Sequence, residues 1–439
     1  MKLKGKDFIL GFQHLFAMFG ATVLVPVLTG LSVSSTLLFA GVGTLLFHLL
    51  TGRKVPIFLG SSFAFLGGYF AIADLCKNAG IENFSAYAGV GVACAGMIYV
   101  VIAILFKVFG AGRVMKFFPP VVTGPIIISI GLTLSSTAIS SCSANWIIAL
   151  VAIAVVIVCN IWGKGMIKII PILLGVIASY LAAVCMGQVD FTAVKEAAWI
   201  GLPIKTLSET TFSLFENCNT SVLITSIITI MPIALATIIE HIGDVSAVSS
   251  TVGKNFIASP GLHRTLLGDG LATTLAALFG APANTTYGEN TGVLALTKVY
   301  DPRVIRLAAF FAILLSFSPK FAAIVSAMPA ATMGGISLVL YGMISAVGVR
   351  NVVENQVDFS KSRNIIIAAL ILVLAIGVKF GTGEAEAVVF HISKVTISLS
   401  GLAVAAIVGI VLNAVLPGKD YIFKEDEDKG VNTGVSFKV

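Results

Sequence analysis

The 439-residue chain is 57% hydrophobic and only 11% charged, with a formal net charge of +7 and a mean hydropathy of +1.01. Soluble domains carry about 25% charged residues, so a soluble fold is excluded. Apolar segments of about 17–25 residues, the length that crosses a bilayer, recur from Phe8 to Leu416.

Taken in chain order, the predicted spans lie near 8–29, 33–51, 56–75, 85–109, 118–139, 145–162, 168–187, 221–243, 263–281, 283–299, 304–326, 329–348, 363–383 and 397–416. The first follows Lys2, Lys4 and Lys6 and so starts like a signal peptide. Its apolar run is too long, however, and no small-x-small cleavage pattern follows. It is read as a retained span. With the N-terminus inside, only Lys77, Lys195, Lys205, Lys320, Lys379 and Lys394 of the 28 basic residues fall on the outer side. That bias places both termini in the cytoplasm and supports an even span count. The basic residues form no patch, so the net charge does not indicate nucleic acid. Cys76, Cys94, Cys142, Cys159, Cys185 and Cys218 show no metal spacing, and no disulfide is inferred. The residues after Pro417 form a polar tail expected to be disordered.

Three short matches connect the halves. Gln13-His14 echoes Glu240-His241, Gly60-Ser61-Ser62-Phe63-Ala64-Phe65 echoes Asn284-Thr285-Thr286-Tyr287-Gly288-Glu289, and Phe118-Pro119-Pro120 with Gly124 echoes Met328-Pro329-Ala330 with Gly334. The offsets are 227, 224 and 210. Seven spans per half is odd, so the second copy enters from the opposite side. The expected fold is an all-α polytopic membrane protein of about 14 transmembrane segments in two inverted seven-span repeats, with short broken segments at spans 3 and 10. Such repeats with interrupted helices mark secondary transporters. The prolines at 119, 120 and 329 are read as kinks.

Glu240 and Glu289 stand in apolar surroundings. A carboxylate at membrane depth costs about 2.5–3.5 kcal/mol on lenient scales, so both are candidate substrate or proton groups. Backbone at the two breaks must line a cavity, where half-helix N-termini present free N–H groups and a positive dipole end. Phe63 and Gly288 are the expected donors, Ser62 lies in the first break, and Tyr287 and Phe63 offer aromatic faces. Two carboxylates accepting and two amides donating suit a small planar ring with alternating N–H and C=O groups, such as uracil.

On Gln13–Thr22, Gly60–Phe65, Glu240-His241-Ile242-Gly243 and the signature Glu289-Asn290-x-Gly292 with Thr297-Lys298, the chain resembles the nucleobase–ascorbate transporter family of uracil and xanthine permeases, and within it the uracil permease branch. Purine-transporting relatives usually carry Gln at the position of Glu289. The resemblance implies proton-coupled uracil import by alternating access, with the proton as the coupling ion and no cofactor. It implies a homodimer in the cell membrane among lipid, with no nucleic-acid partner. It further implies a core domain (1–117 with spans 1–4, and 215–326 with spans 8–11), a gate domain (118–214 with spans 5–7, and 327–416 with spans 12–14) and a cytoplasmic tail (417–439). Carried over by position, the substrate contacts are Glu240, Glu289, Phe63, Gly288, Tyr287, Ser62 and Tyr341. Proton coupling falls to Glu240, Glu289 and Asp244. The last is a departure, because relatives can carry histidine there. Asp244 lies on the face of Glu240 by i, i+4 spacing, or else reaches the cytoplasmic interface.

Other residues read more plainly. His14 and His241 are expected to pack or hydrogen-bond rather than carry protons, and Asp269 to mark an inner helix end. Asn284-Thr285-Thr286 matches a glycosylation sequon at a depth that forbids its use. Xanthine, urate, another pyrimidine or an anion are the alternative substrates; the two carboxylates disfavour an anion and Glu289 disfavours a purine. No metal cluster, HExxH or GxSxG motif indicates an enzyme.

Overall fold

Lipid offers a backbone no hydrogen bonds, so an apolar chain must satisfy its own amides within helices. α1 (Gly5–Thr29) and α2 (Val33–Leu50) are followed by β1 (Leu59–Ser61), a 3-10 turn at Phe63–Phe65 and α3 (Leu66–Asn78). Next come α4 (Phe84–Phe109), the single turn α5 (Ala111–Val114), α6 (Pro120–Ser143), α7 (Trp146–Ile161), α8 (Met166–Ile169), α9 (Pro171–Cys185) and α10 (Thr192–Glu196). The second half runs α11 (Thr220–Ile230), α12 (Ala234–Val252), α13 (Leu262–Leu278), β2 (Asn284–Thr286), α14 (Gly288–Thr297), α15 (Pro302–Ser316), α16 (Pro319–Ser326), α17 (Ala330–Glu354) and α18 (Ser362–Gly381). A hairpin of β3 (Ala387–Ile392) and β4 (Val395–Ser400) precedes α19 (Gly401–Val415). This computed structural model describes residues 5–204, 206, 210–216, 218–383, 386–392, 395–419 and 421. Lys205, Lys394 and the tail from 422 lie outside the described residues, as do the side chains of Glu289, Asn290 and Gly292.

Among the described residues, seven helical stretches are long and apolar enough to cross a membrane, and an eighth if the bent pair α15–α16 is one span. α11 and α12 form one such stretch through a 3-10 turn at Met231–Ile233. Helix starts are capped as the sequence chemistry dictates: Asn83, Asn145 and Asn219 accept first-turn amides of α4, α7 and α11.

Three expectations are corrected. The prolines 119, 120 and 329 start helices rather than kink them: Pro119 and Pro329 occupy N-cap positions and Pro120 the first turn, where a missing N–H costs nothing. The predicted span 304–326 bends by 90° between α15 and α16, because Ser318 caps a new helix that begins with Pro319. The predicted eighth span runs on to Val252, where Gly253 at φ 72° ends it. Between the last two predicted spans lies the β3–β4 hairpin, on which the sequence reading was silent. Its alternating Val388, Phe390 and Val395, Ile397, Leu399 carry the period-2 pattern that strands require.

The packing follows the repeat. α6 and α17 lie antiparallel along a seam of small residues. A Cβ at Gly348 would come 2.8 Å from the Gly124 carbonyl, and one at Gly334 would come 2.9 Å from the Ala138 carbonyl. Shifting the first contact by the 210-residue offset gives the second. Such glycine-lined seams let helix backbones approach closely in lipid. α6 also packs on α18 and α19, and α17 on α7. Separately, α2 and α4 pack on α13, α4 on α11, and α1 and α2 on α15.

Candidate functional site

β1 and β2 pair antiparallel, Leu59 with Thr286, Gly60 with Thr285 and Ser61 with Asn284. Under the 224-residue offset the last two pairs exchange places, so the pairing is symmetric under that offset. Three-residue strands leave much backbone to satisfy, and neighbouring side chains do it. The Thr44 hydroxyl accepts the Leu59 amide at 2.8 Å, the Thr273 hydroxyl donates to the Asn284 carbonyl at 2.9 Å, and the Tyr69 hydroxyl accepts the Ala283 amide at 2.9 Å. The Asn284 amide group is itself buried and donates to the Phe39 carbonyl at 3.0 Å, so the sequon is unusable.

Each strand leads into a half-helix. The first begins at Phe63 after Ser62, whose buried hydroxyl has no partner among the described residues. The second begins at Gly288 after Tyr287. Phe63 and Gly288 are thus the first residues of two helices whose free amides and dipole ends face the crossing. Tyr287 lies flat over Gly60, where an added Cβ would come 2.5 Å from its ring. Its hydroxyl donates to the Ser61 carbonyl at 2.9 Å. The Ser61 hydroxyl in turn donates to the Thr22 carbonyl of α1 at 2.7 Å. The Phe63 ring meets Tyr341 of α17 edge-on, centroids 5.4 Å apart.

The carboxylates come from α12. Glu240 is half-buried, and Asp244, one turn on, is only 5% exposed. The interface placement of Asp244 is therefore ruled out. The Thr286 hydroxyl donates to Asp244 Oδ2 at 2.8 Å, and a Cβ at Gly288 would lie 3.0 Å from Asp244 Oδ1. Asp244 thus rests beside the start of α14, where a negative charge is stabilised.

Sequence reasoning misplaced Asp269 and did not pair it with His241, although the hydrogen-bonding role expected of His241 holds. Asp269 is not at a helix end. It is fully buried within α13, 2.8 Å from Nδ1 of the equally buried His241. Gly268 and Gly270 leave room there for Phe47 and Tyr99, and Tyr99 is within electrostatic reach of Glu240, Asp244 and Asp269. A carboxylate between two glycines in an apolar run was the available signal for a buried, closely packed pair.

The profile of the xanthine/uracil permease family matches residues 5–384. The chain belongs to that family. It is an integral membrane permease, a transporter and not an enzyme. It is 40% identical over 440 residues to the uracil permease of Bacillus caldolyticus, covering 97% of this chain and 96% of that one. It is 38% identical to the uracil permease of Escherichia coli K12, over 92% of this chain and 90% of that one. A putative pyrimidine permease of the same organism, RutG, is also 38% identical, over 94% and 89%. Among solved structures, the permease fold is similar to the transmembrane domain of the cyanobacterial bicarbonate transporter BicA (TM-score 0.61, 14% identity, 93% of this chain and 97% of that one). It is also similar to the murine anion transporter Slc26a9 in its inward-facing state (TM-score 0.61, 10% identity, 94% and 69%).

Proposed function

We propose that the permease imports uracil across the cytoplasmic membrane with a proton, by alternating access. The observation that carries this reading is the crossing itself: two half-helices begin there, at Phe63 and Gly288, and Asp244 of α12 lies against the start of the second. Uracil offers two ring N–H groups to Glu240 and Glu289, and two carbonyls to the Phe63 and Gly288 amides. Ser62, Tyr287 and Tyr341 frame the ring. Relatives named uracil permease at 38–40% identity support the substrate; another pyrimidine is the alternative, in keeping with RutG.

The arrangement around Asp244 suggests the coupling. An ionised Asp244 is held by Thr286 and lies beside the positive end of α14, which also draws a substrate carbonyl. Protonation weakens the first attraction and leaves the helix end to the carbonyl. Proton and uracil then bind with positive linkage, each strengthening the other.

Fourteen spans in two inverted repeats accommodate the observed elements, with β1–α3 and β2–α14 as the broken third and tenth. Exchange of contacts under the offsets supports the repeat. Helix packing supports a core of 1–117 with 215–326 and a gate of 118–214 with 327–416. The side distribution of basic residues supports cytoplasmic termini, and family membership supports a homodimer. The two units touch where Gly243 of α12 meets Ile127 of α6 and Asn351 of α17, and again where α11 meets β4 and α16 meets α10; a cavity lies between α3 and α6.

The deciding experiment is radiolabelled uracil uptake into proteoliposomes with and without an inward proton gradient. Saturable uptake that accelerates with the gradient and collapses with a protonophore is expected. Gradient-independent equilibration would refute coupling.

A further inference from the structure

The gate as divided above ends at residue 214, and so includes α10 and the irregular chain after it. The bonds of that chain run to the other unit. Lys320 of α16 donates through Nζ to the carbonyls of Val194 at 2.7 Å and Lys195 at 3.1 Å. Its backbone amide donates to the Ala198 carbonyl at 2.8 Å, and the Gly201 amide donates to the Phe317 carbonyl at 2.9 Å. The same ammonium lies 5.5 Å from the centroid of the Trp199 ring. Further on, the Ser35 hydroxyl of α2 donates to the Pro203 carbonyl at 3.2 Å, and Ile204 packs against Phe39, Ala276 and Ala281. The Thr211 hydroxyl donates to the Leu278 carbonyl at 2.9 Å, and Asn83 Nδ2 donates to the Ser213 hydroxyl at 3.0 Å. All of these partners lie in the core.

Attachment to the gate comes just before. α9 stops at Cys185, and Gly187 at φ 69° closes its last turn, with the Gln188 amide donating to the Ala183 carbonyl at 3.0 Å. Val189 packs against Ile148, Ala183 and Ala331 of the gate, and the Phe191 ring lies 6.4 Å from that of Tyr180. Asp190 then opens α10 by accepting the Thr192 amide at 2.8 Å. The chain therefore passes from one unit to the other between Val189 and Val194. Carrying it with the gate would break the Lys320, Gly201 and Thr211 bonds in every cycle, and backbone groups away from water do not go unpaired cheaply. A bend in one short stretch breaks none of them, because a few loop residues absorb the φ/ψ change. Trp199, Ile200 and Leu202 are 69–83% exposed, so these large apolar side chains are not buried on the gate.

We propose that residues 194–204 and 211–213 form a strap of the core, clamped by Lys320, and that the chain bends at 189–193 when core and gate move past each other. The inference rests on the alternating-access reading above.

Cross-linking tests it in a chain carrying Cys185→Ser and Cys218→Ser, which removes the exposed thiols among the described residues. Ala198→Cys with Lys320→Cys, joined by a short bifunctional maleimide in proteoliposomes, replaces the clamp by a covalent link. Uracil uptake should stay near the unlinked rate. Asn83→Cys with Ser213→Cys repeats the test at the far end of the strap and keeps Lys320, should its loss impair folding. Tyr180→Cys with Ile324→Cys joins α9 to α16, where the Tyr180 hydroxyl donates to the Ile324 carbonyl at 3.2 Å. That link spans the two units and should stop uptake while uracil still binds. Uptake lost on linking either strap pair would place the strap with the gate and overturn the inference, leaving alternating access standing. Uptake untouched by all three links, or absent in the parent, would overturn the functional reading and the strap with it.

Discussion

At the scale of single residues, the site is a matter of which group donates and which accepts. Glu289→Gln is nearly isosteric but replaces an acceptor oxygen with an NH2 that faces a ring N–H of uracil. An unsatisfied buried pair costs about 1–3 kcal/mol, or roughly 5- to 150-fold in affinity. Calorimetry on the purified variant, with folding verified by ligand-free thermal stability, should show that loss; wild-type affinity would remove Glu289 from the site. Asp244 makes a different prediction because of where its carboxylate rests. If the ionised form occupies the Gly288 end of α14, uracil affinity should rise as pH falls. Asp244→Asn, which mimics the protonated acid, should bind uracil well at every pH and lose that slope. Among the described residues, the groups that share this environment are Glu240 and the His241–Asp269 pair, with Tyr99 facing from α4. A persisting slope in Asp244→Asn would move the coupling proton to one of them, Glu240 first.

At the scale of elements, two ties hold the half-helices in place, and each is testable. The Tyr287 ring covers Gly60 and its hydroxyl reaches the Ser61 carbonyl, so Gly60→Ala should displace the ring and with it the start of α14. Uracil binding should fall sharply, while Tyr287→Phe, which loses only the hydroxyl bond, should cost about 0.5–1.5 kcal/mol. Equal binding by Gly60→Ala and wild type would show that Tyr287 does not set the geometry of the crossing. The second tie joins α12 to α13 through His241 and Asp269. Asp269→Ala leaves a buried imidazole unpaired and should destabilise the detergent-solubilised protein by about 1–3 kcal/mol. His241→Ala with Asp269→Ala should cost less than the sum of the two single changes, as contacting residues do. Additive losses in unfolding experiments would mean the pair does not interact. These ties also explain what the chain revealed by itself and what it hid. The breaks at Phe63 and Gly288 were legible because small polar residues interrupt apolar runs, and Glu240 because a charge stands out there. Thr286 and Asp269 were not, since a threonine in a strand and an aspartate in a helix take their meaning from a partner on another element. The prolines at 119, 120 and 329 misled for the opposite reason: the same residue kinks a helix from inside and starts one from its first turn.

At the scale of the molecule, the question is which parts move together. The glycine seam joining α6 to α17 brings backbone against backbone, and such seams do not slide without losing packing on both sides. Contacts between α12 and this pair are of another kind. Gly243 meets only the tip of Ile127 and the amide of Asn351, at 3.6 and 3.8 Å from an added Cβ. Closing the cavity by rocking one unit against the other would part the second contact and leave the first intact. A matched pair of cross-links separates these cases. Thr123 and Asn351 are hydrogen-bonded across α6 and α17 at 3.2 Å, within one unit. Thr123→Cys with Asn351→Cys, joined by a short bifunctional maleimide, should therefore leave most uptake in place. Ile127→Cys with Gly243→Cys joins the two units at the inner face. Cross-linking there should abolish uptake yet preserve uracil binding from the outer side, because the site stays formed and only the exit is locked. That loss should reverse with a cleavable linker. If cross-linking within the α6–α17 pair stopped transport as completely as cross-linking between units, the two helices would themselves move apart during the cycle, and the division into a core and a gate would have to be redrawn through that seam.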